Sequence, residues 1–176
     1  MGTKLLLHGA TQFYDKKNRG FLVSMLKLRD ILKPDAIIAE LKSSDKKGVL
    51  AEFAALAAKV VNVEEETILN TLLSREKLGS TAVGHGVAIP HGKIAGLEQI
   101  VALFGCSEKG VDFQAHDQIP SKIFFVILAP EAAIGNYLHA LARLSRLMKD
   151  DHVRELIHSC DKNNIYQTLV SEDDKI

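Results

Sequence analysis

The stretch GHGVAIPHGK, Gly84 to Lys93, sets two histidines, three glycines and a proline around a short apolar run. His91 stands directly after Pro90 and directly before Gly92. Proline fixes its own backbone angle and removes an amide donor. Glycine lets a chain approach a neighbour closely or take a positive φ. An imidazole placed after the Val87-Ala88-Ile89 run is therefore held at a defined point at a strand end, with backbone amides nearby. That suits a ring nitrogen that must attack or hold a group. A turn histidine that merely caps a strand has the same local sequence, and spacing alone leaves both readings open.

His139 falls in the first turns of a helix expected to begin near Gly135 or Asn136. A helix N-terminus offers unpaired amides and a partial positive charge, which favour phosphate. A polar position on an amphipathic helix gives the same pattern. His85 and His91 together raise zinc, but their spacing matches neither a zinc finger nor H-E-x-x-H, and carboxylate or thiolate ligands are missing nearby. No metal is expected. The chain has no G-x-x-x-x-G-K-[ST] loop and no G-x-S-x-G elbow. Of the seven histidines, His8 lies in the N-terminal stretch. His116, in the polar turn QAHDQ, and His152 and His158, among charged helix neighbours, read as solvated.

The elements that must position these groups come from one chain of 176 residues, a length that suits a single domain with its own core. Lysine plus arginine and aspartate plus glutamate each number 22. That balance gives no reason to expect nucleic acid or a membrane surface as partner. Cys106 and Cys160 read as reduced thiols, one in a strand and one near a helix end, as in a cytoplasmic protein. No apolar stretch approaches the length of a membrane span, so no membrane insertion is expected.

Residues 1–24 show no sustained period and carry the basic cluster Lys16-Lys17-Asn18-Arg19. They read as an N-terminal extension or leader ahead of a domain over 25–176, or as a short added hairpin with DKKNRG as its turn. From Pro34, which can occupy a first helical turn, the pattern predicts a helix with Ile37, Ile38 and Leu41 on one face. Ser44 is expected to cap a second helix with the stripe Val49, Leu50, Phe53, Leu56 and Ala57. Asn62 and Glu65 suggest a capping box for a third, buried through Ile68, Leu69, Leu72 and Leu73 and stopped by Gly79. VAI, QIVALFGC and KIFFVILA read as strands, and the unbroken run Ile123–Leu128 as one buried on both faces. The C-terminal third returns to helix. Its stripes are Leu138, Leu141, Leu144, Leu147 and Met148, then Val153, Leu156 and Ile157, then Ile165, Leu169 and Val170. Helices, strands and helices in that order predict an α/β (α+β) fold with a central mixed sheet between helices.

The segment SREKLGSTAVGHGVAIPHGK resembles the active-site region of enzyme IIA domains of the phosphotransferase system, fructose/mannitol class (type 2). The likeness is closest to the nitrogen-regulatory branch. The pattern R-E-x-x-G-S-T-x-x-x-x-G-x-A-I-P-H-G is long and ordered, and the resemblance runs from Met25 to about Leu169. It implies a phosphotransferase/anion-transport-protein-like fold without cofactor. It implies that His91 takes a phosphoryl group from an HPr-type histidine phosphocarrier. By the same resemblance His139 and Arg75 hold phosphoryl oxygens. Backbone amides near Gly92 can add to this, and Ser80 and Thr81 either hydrogen-bond the site or are simple turn residues. The ring of His91 is expected to titrate near the reference value of about 6.5, with its second nitrogen donating to a backbone carbonyl. The family often has asparagine where this chain has His85, which reads as a solvated loop substitution.

Two roles follow from the resemblance. One is a regulator whose phosphorylation state changes its grip on a downstream target. The other is a sugar-transport relay that passes phosphate to an enzyme IIB. The chain carries no fused transport or IIB segment, so the regulatory role is the one expected.

Overall fold

The structure, a computed structural model, describes the backbone of residues 4–7, 10–14, 21–22, 26–159 and 161–176, and the side chains of 26–176 other than 160 and 162. Lys4–Leu7 (β1), Ala10–Tyr14 (β2) and Phe21–Leu22 (β3) pair antiparallel into a three-stranded sheet of their own. This is the hairpin arrangement weighed for the N-terminal stretch. The turn expected over 15–20, His8, Met25 and Cys160 lie outside the described residues.

The rest runs Leu28–Ile31 (α1), Leu32–Ile38 (β4), Lys46–Val60 (α2), Glu65–Lys77 (α3), Ala82–Gly84 (β5), Val87–Ala88 (β6), His91–Ile94 (β7), Val101–Val111 (β8), Ser121–Pro130 (β9), Ile134–Lys149 (α4), Asp151–Ser159 (α5) and Ile165–Asp173 (α6). The main sheet has the order β4-β8-β9-β6-β5, with β7 also on β9. It is mixed: β4 runs parallel to β8, β8 antiparallel to β9, and both β6 and β7 parallel to β9. The mixed α+β architecture expected from the element order is the one observed.

β9 is the centre. Ile123 to Ala129 are all buried, because β8 lies on one side, β6 and β7 on the other, and helices cover the faces. Phe124, opposite Gly105, packs on Phe53 of α2. Gly105 is required there: a Cβ would meet the Phe53 ring at 2.8 Å. The neighbouring pair Phe104 and Phe125 stack at 4.9 Å and point to the opposite face, since side chains alternate along a strand. Each buried phenylalanine contributes on the order of 2 kcal/mol.

Several local expectations are corrected. Pro34 does not open a helix; it lies in β4. Among the described residues that strand pairs with β8 alone, and its register slips between Leu32 and Ile37. An edge strand with an irregularity is where a missing amide costs least. The helical turn comes earlier, at α1, where the Lys27 amide donates to Asp30 at 2.9 Å. The cap of α2 is Asp45, whose carboxylate accepts from the Gly48 amide, not Ser44. Asn62 lies before α3 in a turn, so the expected capping box with Glu65 does not form; the N-cap is Glu64. On α4, Leu138 is exposed and Tyr137 is buried in its stead, in phase with Ala140, Leu144 and Leu147.

A buried ion pair that no motif announced ties the ends of the domain together. Arg143 of α4 donates from Nε to Asp173 Oδ1 at 2.6 Å and from an Nη to the Asp173 carbonyl at 2.6 Å. The second carboxylate oxygen accepts the Leu28 amide at 2.8 Å. Among the described residues no helix is long and apolar enough to cross a membrane.

Candidate functional site

β6 and β7 are successive segments along one side of β9, interrupted at Ile89-Pro90. Pro90 has no amide for a ladder, yet its carbonyl accepts the Ile127 amide at 3.0 Å, so the chain stays docked across the break. The Ile89 carbonyl meets the ring of His91, whose Nδ1 lies 2.7 Å away. A carbonyl only accepts, so Nδ1 carries the proton and Nε2 presents its lone pair. The expected backbone partner for the second ring nitrogen is thus present.

Arg75, in the last turn of α3, donates from Nε to His91 Nε2 at 3.0 Å. Its Nη1 donates to the Gly79 carbonyl at 3.0 Å. Arg75 reaches the histidine because α3 lies tight against β7. Gly92 faces Thr71, and a Cβ on it would meet Thr71 Cγ2 at 2.5 Å. The expectation of a close approach at Gly92 holds, and the partner is the protein's own helix. With Gly92 facing α3, His91 and Lys93 share the other face of β7. There Tyr137 of α4 meets both. Its ring packs on His91 in a T-shaped contact at 5.9 Å between centroids, and Lys93 Nζ sits 5.7 Å from its centre.

Burial holds the His91 ring below the ordinary imidazole value. The hydrogen bond to Ile89 pulls the other way, the Arg75 charge adds to the lowering, and the Glu76 charge opposes it. The expectation of an unperturbed ring is corrected: His91 stays neutral, and nucleophilic at Nε2, to lower pH than a free histidine.

Ser80 and Thr81 have partners within the protein. Ser80 Oγ donates to the Phe113 carbonyl and accepts the Ala82 amide at 3.1 Å. Thr81 is buried, and its hydroxyl and amide both donate to the Glu76 carboxylate, the hydroxyl at 2.5 Å. Lys46 completes that cluster at 2.9 Å from Glu76 and 5.3 Å from the centre of the Phe113 ring. These groups brace the end of α3 next to Arg75, which is the turn-residue reading of Ser80 and Thr81. Glu76 and Lys46 were not singled out from sequence, although Glu76 adjoins Arg75 in the quoted motif.

His139 is exposed on α4, two positions beyond Tyr137. The contact from α4 to the His91 ring is made by Tyr137, which sequence reading passed over. The signal was helical phase, with Tyr137 three residues before Ala140 and seven before Leu144.

His85 is exposed at the tip of the β5–β6 hairpin, in the two-residue loop between Gly84 and Val87. His85 has φ 55° and Gly86 φ 72°, the signature of a type I′ turn. Asp117 accepts the His85 amide at 2.7 Å, and that bond with the one from Ile119 holds its carboxyl below the usual range. Val87 pairs with Ile123 and His91 with Ile127, which separates the hairpin end from His91 by roughly 13 Å of strand. Among the described residues no group of three His, Cys, Asp or Glu side chains is arranged to hold a metal.

Residues 30–172 match the family described as phosphoenolpyruvate-dependent sugar phosphotransferase system, EIIA 2. The chain belongs to this family. It is 45% identical over 143 residues to a nitrogen regulatory protein of Bradyrhizobium diazoefficiens, covering 81% of this chain and 94% of that one. The crystal structure of nitrogen regulatory protein IIA-Ntr from Neisseria meningitidis matches with a TM-score of 0.76 at 30% identity, over 80% of this chain and 97% of that one. A solution structure of the Escherichia coli mannitol IIA enzyme in complex with phosphorylated mannitol IIB shares the fold. Its TM-score is 0.66 at 20% identity, over 80% of this chain and 99% of that one. In this IIA domain the histidine of the I-P-H-G motif and the arginine of the R-E-x-x-G-S-T motif are direct hydrogen-bond partners.

Proposed function

We propose that this IIA domain is a phosphoryl carrier of the nitrogen-regulatory branch, accepting phosphate on His91 Nε2 from an HPr-type phosphocarrier. One observation carries the reading: a neutral imidazole with its tautomer set by Ile89 and its lone pair facing a fixed guanidinium. In the transfer, the Nε2 lone pair forms a bond to phosphorus as the bond from phosphorus to the carrier's imidazole breaks. The electron pair of the broken bond returns to the carrier ring. The proton stays on Nδ1, donated to the Ile89 carbonyl. Arg75 lets go of Nε2 and takes up phosphoryl oxygens, where charge develops. His139, exposed on α4, is assigned a second hydrogen bond to those oxygens.

Leu78 beyond Arg75 and Ile134 and Leu138 on either side of Tyr137 are exposed apolar side chains. They suit the docking of a protein partner beside the histidine. The nitrogen-regulatory relatives favour a downstream regulatory target. The fold likeness to a IIA bound to its IIB keeps transfer to an enzyme IIB as the second reading. We place the relay in the cytoplasm, with residues 1–24 as an extension outside the carrier domain of 25–176. Among the described residues the extension's strands pair only with one another, which supports that division.

The reading is tested by incubating the protein with phosphoenolpyruvate and the phosphocarrier system. A single acid-labile phosphate is expected, absent in His91→Ala. Labelling of His91→Ala at the wild-type rate would refute it. Transfer from the phosphorylated protein to candidate IIB domains separates the two roles.

A further inference from the structure

We infer that Tyr137 is a positioning residue for His91, its ring holding the imidazole in place and walling one side of the phosphorylated ring from water. The inference rests on His91 being the phosphoacceptor. Two contacts fix the imidazole within its own plane, Ile89 at Nδ1 and Arg75 at Nε2. Neither resists tilting of the ring about the line joining them. The T-shaped contact of Tyr137, at 5.9 Å and 66°, supplies that third restraint.

The burial of Tyr137 is local and specific. It is 9% exposed on a helical turn where Asn136, Leu138 and His139 are all exposed. Part of its cover comes from β7. His91 lies against the ring, and Lys93, two residues along the same strand face, places its ammonium over it. When phosphate is added and Arg75 leaves Nε2 for the phosphoryl oxygens, one of the two in-plane contacts is lost. Tyr137 then becomes the remaining contact, besides Ile89, that sets the ring's angle. A phosphoramidate is lost to any water that reaches phosphorus in line with the nitrogen, so a fixed ring with one side covered lengthens its life. The phenol stays protonated, since burial pushes it up although the nearby Arg75 charge opposes this. The role is assigned to the ring, not to the hydroxyl.

The full chain carrying Tyr137→Phe, Tyr137→Leu or Tyr137→Met supplies the test, with thermal unfolding recorded for each. Leu and Met keep apolar bulk without the flat ring. Two quantities are read: the decay of phosphohistidine after donor removal, and the NMR titration of the His91 ring in the unphosphorylated protein. The charged groups about His91 are Arg75 and Glu76 from α3 and Lys93 from β7. None is removed, so a change reports the ring. Tyr137→Phe is expected to match wild type in both. Tyr137→Leu and Tyr137→Met are expected to shorten the phosphohistidine lifetime several-fold and to move the titration upward as water reaches the imidazole. Wild-type lifetime and titration in a folded Leu or Met variant would overturn the inference, as would loss of both in Tyr137→Phe. If the wild-type protein takes up no phosphate, the carrier reading fails, and the titration still decides whether Tyr137 holds the ring.

Discussion

Arg75 donates from Nε to Nε2 of His91 at 3.0 Å while its Nη1 donates to the Gly79 carbonyl, also at 3.0 Å. The guanidinium therefore occupies the lone pair that attacks phosphorus in the proposed transfer, and it already lies beside the atom that would take the phosphoryl group. In the proposed transfer it screens the nucleophile at rest and stabilises the product.

Replacement of Arg75 by alanine is expected to slow phosphorylation by roughly 10²-fold, the loss of one preorganised donor. Arg75→Lys will restore little, because an ammonium cannot hold Gly79 and the phosphoryl group at once in a fixed fork. His139→Ala is expected to slow the same step without removing the phosphate site. Single-turnover labelling measures all three, and wild-type rates in Arg75→Ala would remove it from the site.

The depressed His91 ring value has a signed consequence. Protonation blocks Nε2, so the labelling rate is expected to stay flat from pH 8 down through the ordinary imidazole value of about 6.5 and to fall only below it. Stability follows the same sense. The unfolded chain binds the proton more readily, so the contribution is complete above about 6.5 and is lost as pH falls toward the folded value. A rate profile breaking at or above 6.5 would contradict the burial argument.

Gly92→Ala is expected to cost about 1–3 kcal/mol of stability, since the new methyl overlaps Thr71 Cγ2. It should also push Arg75 away from His91 and slow labelling. Thr71→Ser removes that methyl while keeping a hydroxyl for the Thr67 carbonyl, and the double variant is expected to recover most of both. Denaturant unfolding and labelling rates decide it, and no recovery would mean that the α3–β7 approach is not set by this pair.

His85→Asn is expected to leave the labelling rate unchanged between about pH 6 and 8, the window in which a histidine titrates. Asparagine accepts the positive φ of the hairpin more readily, so stability is expected to rise by up to about 1 kcal/mol. A pH-dependent change in phosphoenzyme lifetime would place His85 in the site.

The parts of this molecule that could be read beforehand are those whose signal is local. The unbroken run Ile123–Leu128 reads as a strand covered on both faces, and the stripe Val49, Leu50, Phe53 and Ala57 as a helix face. Pro34 was misread because its tolerance depends on β4 being an edge strand, which is a property of the sheet and not of the neighbours of Pro34. Leu138 was preferred to Tyr137 on hydrophobicity, but the phase of the stripe is set by the packing of α4 on β9 and β7. The placement of His91 at a strand end was legible from Pro90 and Gly92, and a backbone carbonyl was the expected partner of its second nitrogen, but that the carbonyl is Ile89's is a matter of the local fold. That Arg75 belongs beside His91 was implied only by the motif, and their direct hydrogen bond was not legible, since it is made by packing α3 on β7 across Gly92. The Glu76–Thr81–Lys46 cluster joins residues from two helices and a turn, and no periodicity announces it.

The claim that most of this account depends on is that Ile89 fixes the His91 proton on Nδ1 and leaves Nε2 to take the phosphoryl group. Nitrogen NMR of histidine-labelled protein, before and after phosphorylation, reads it directly. The expected result is a neutral Nδ1–H tautomer at rest and, in the product, phosphorus coupled to Nε2 of His91 with Nδ1 still protonated. Phosphorus on Nδ1, or on any other residue, would contradict the account.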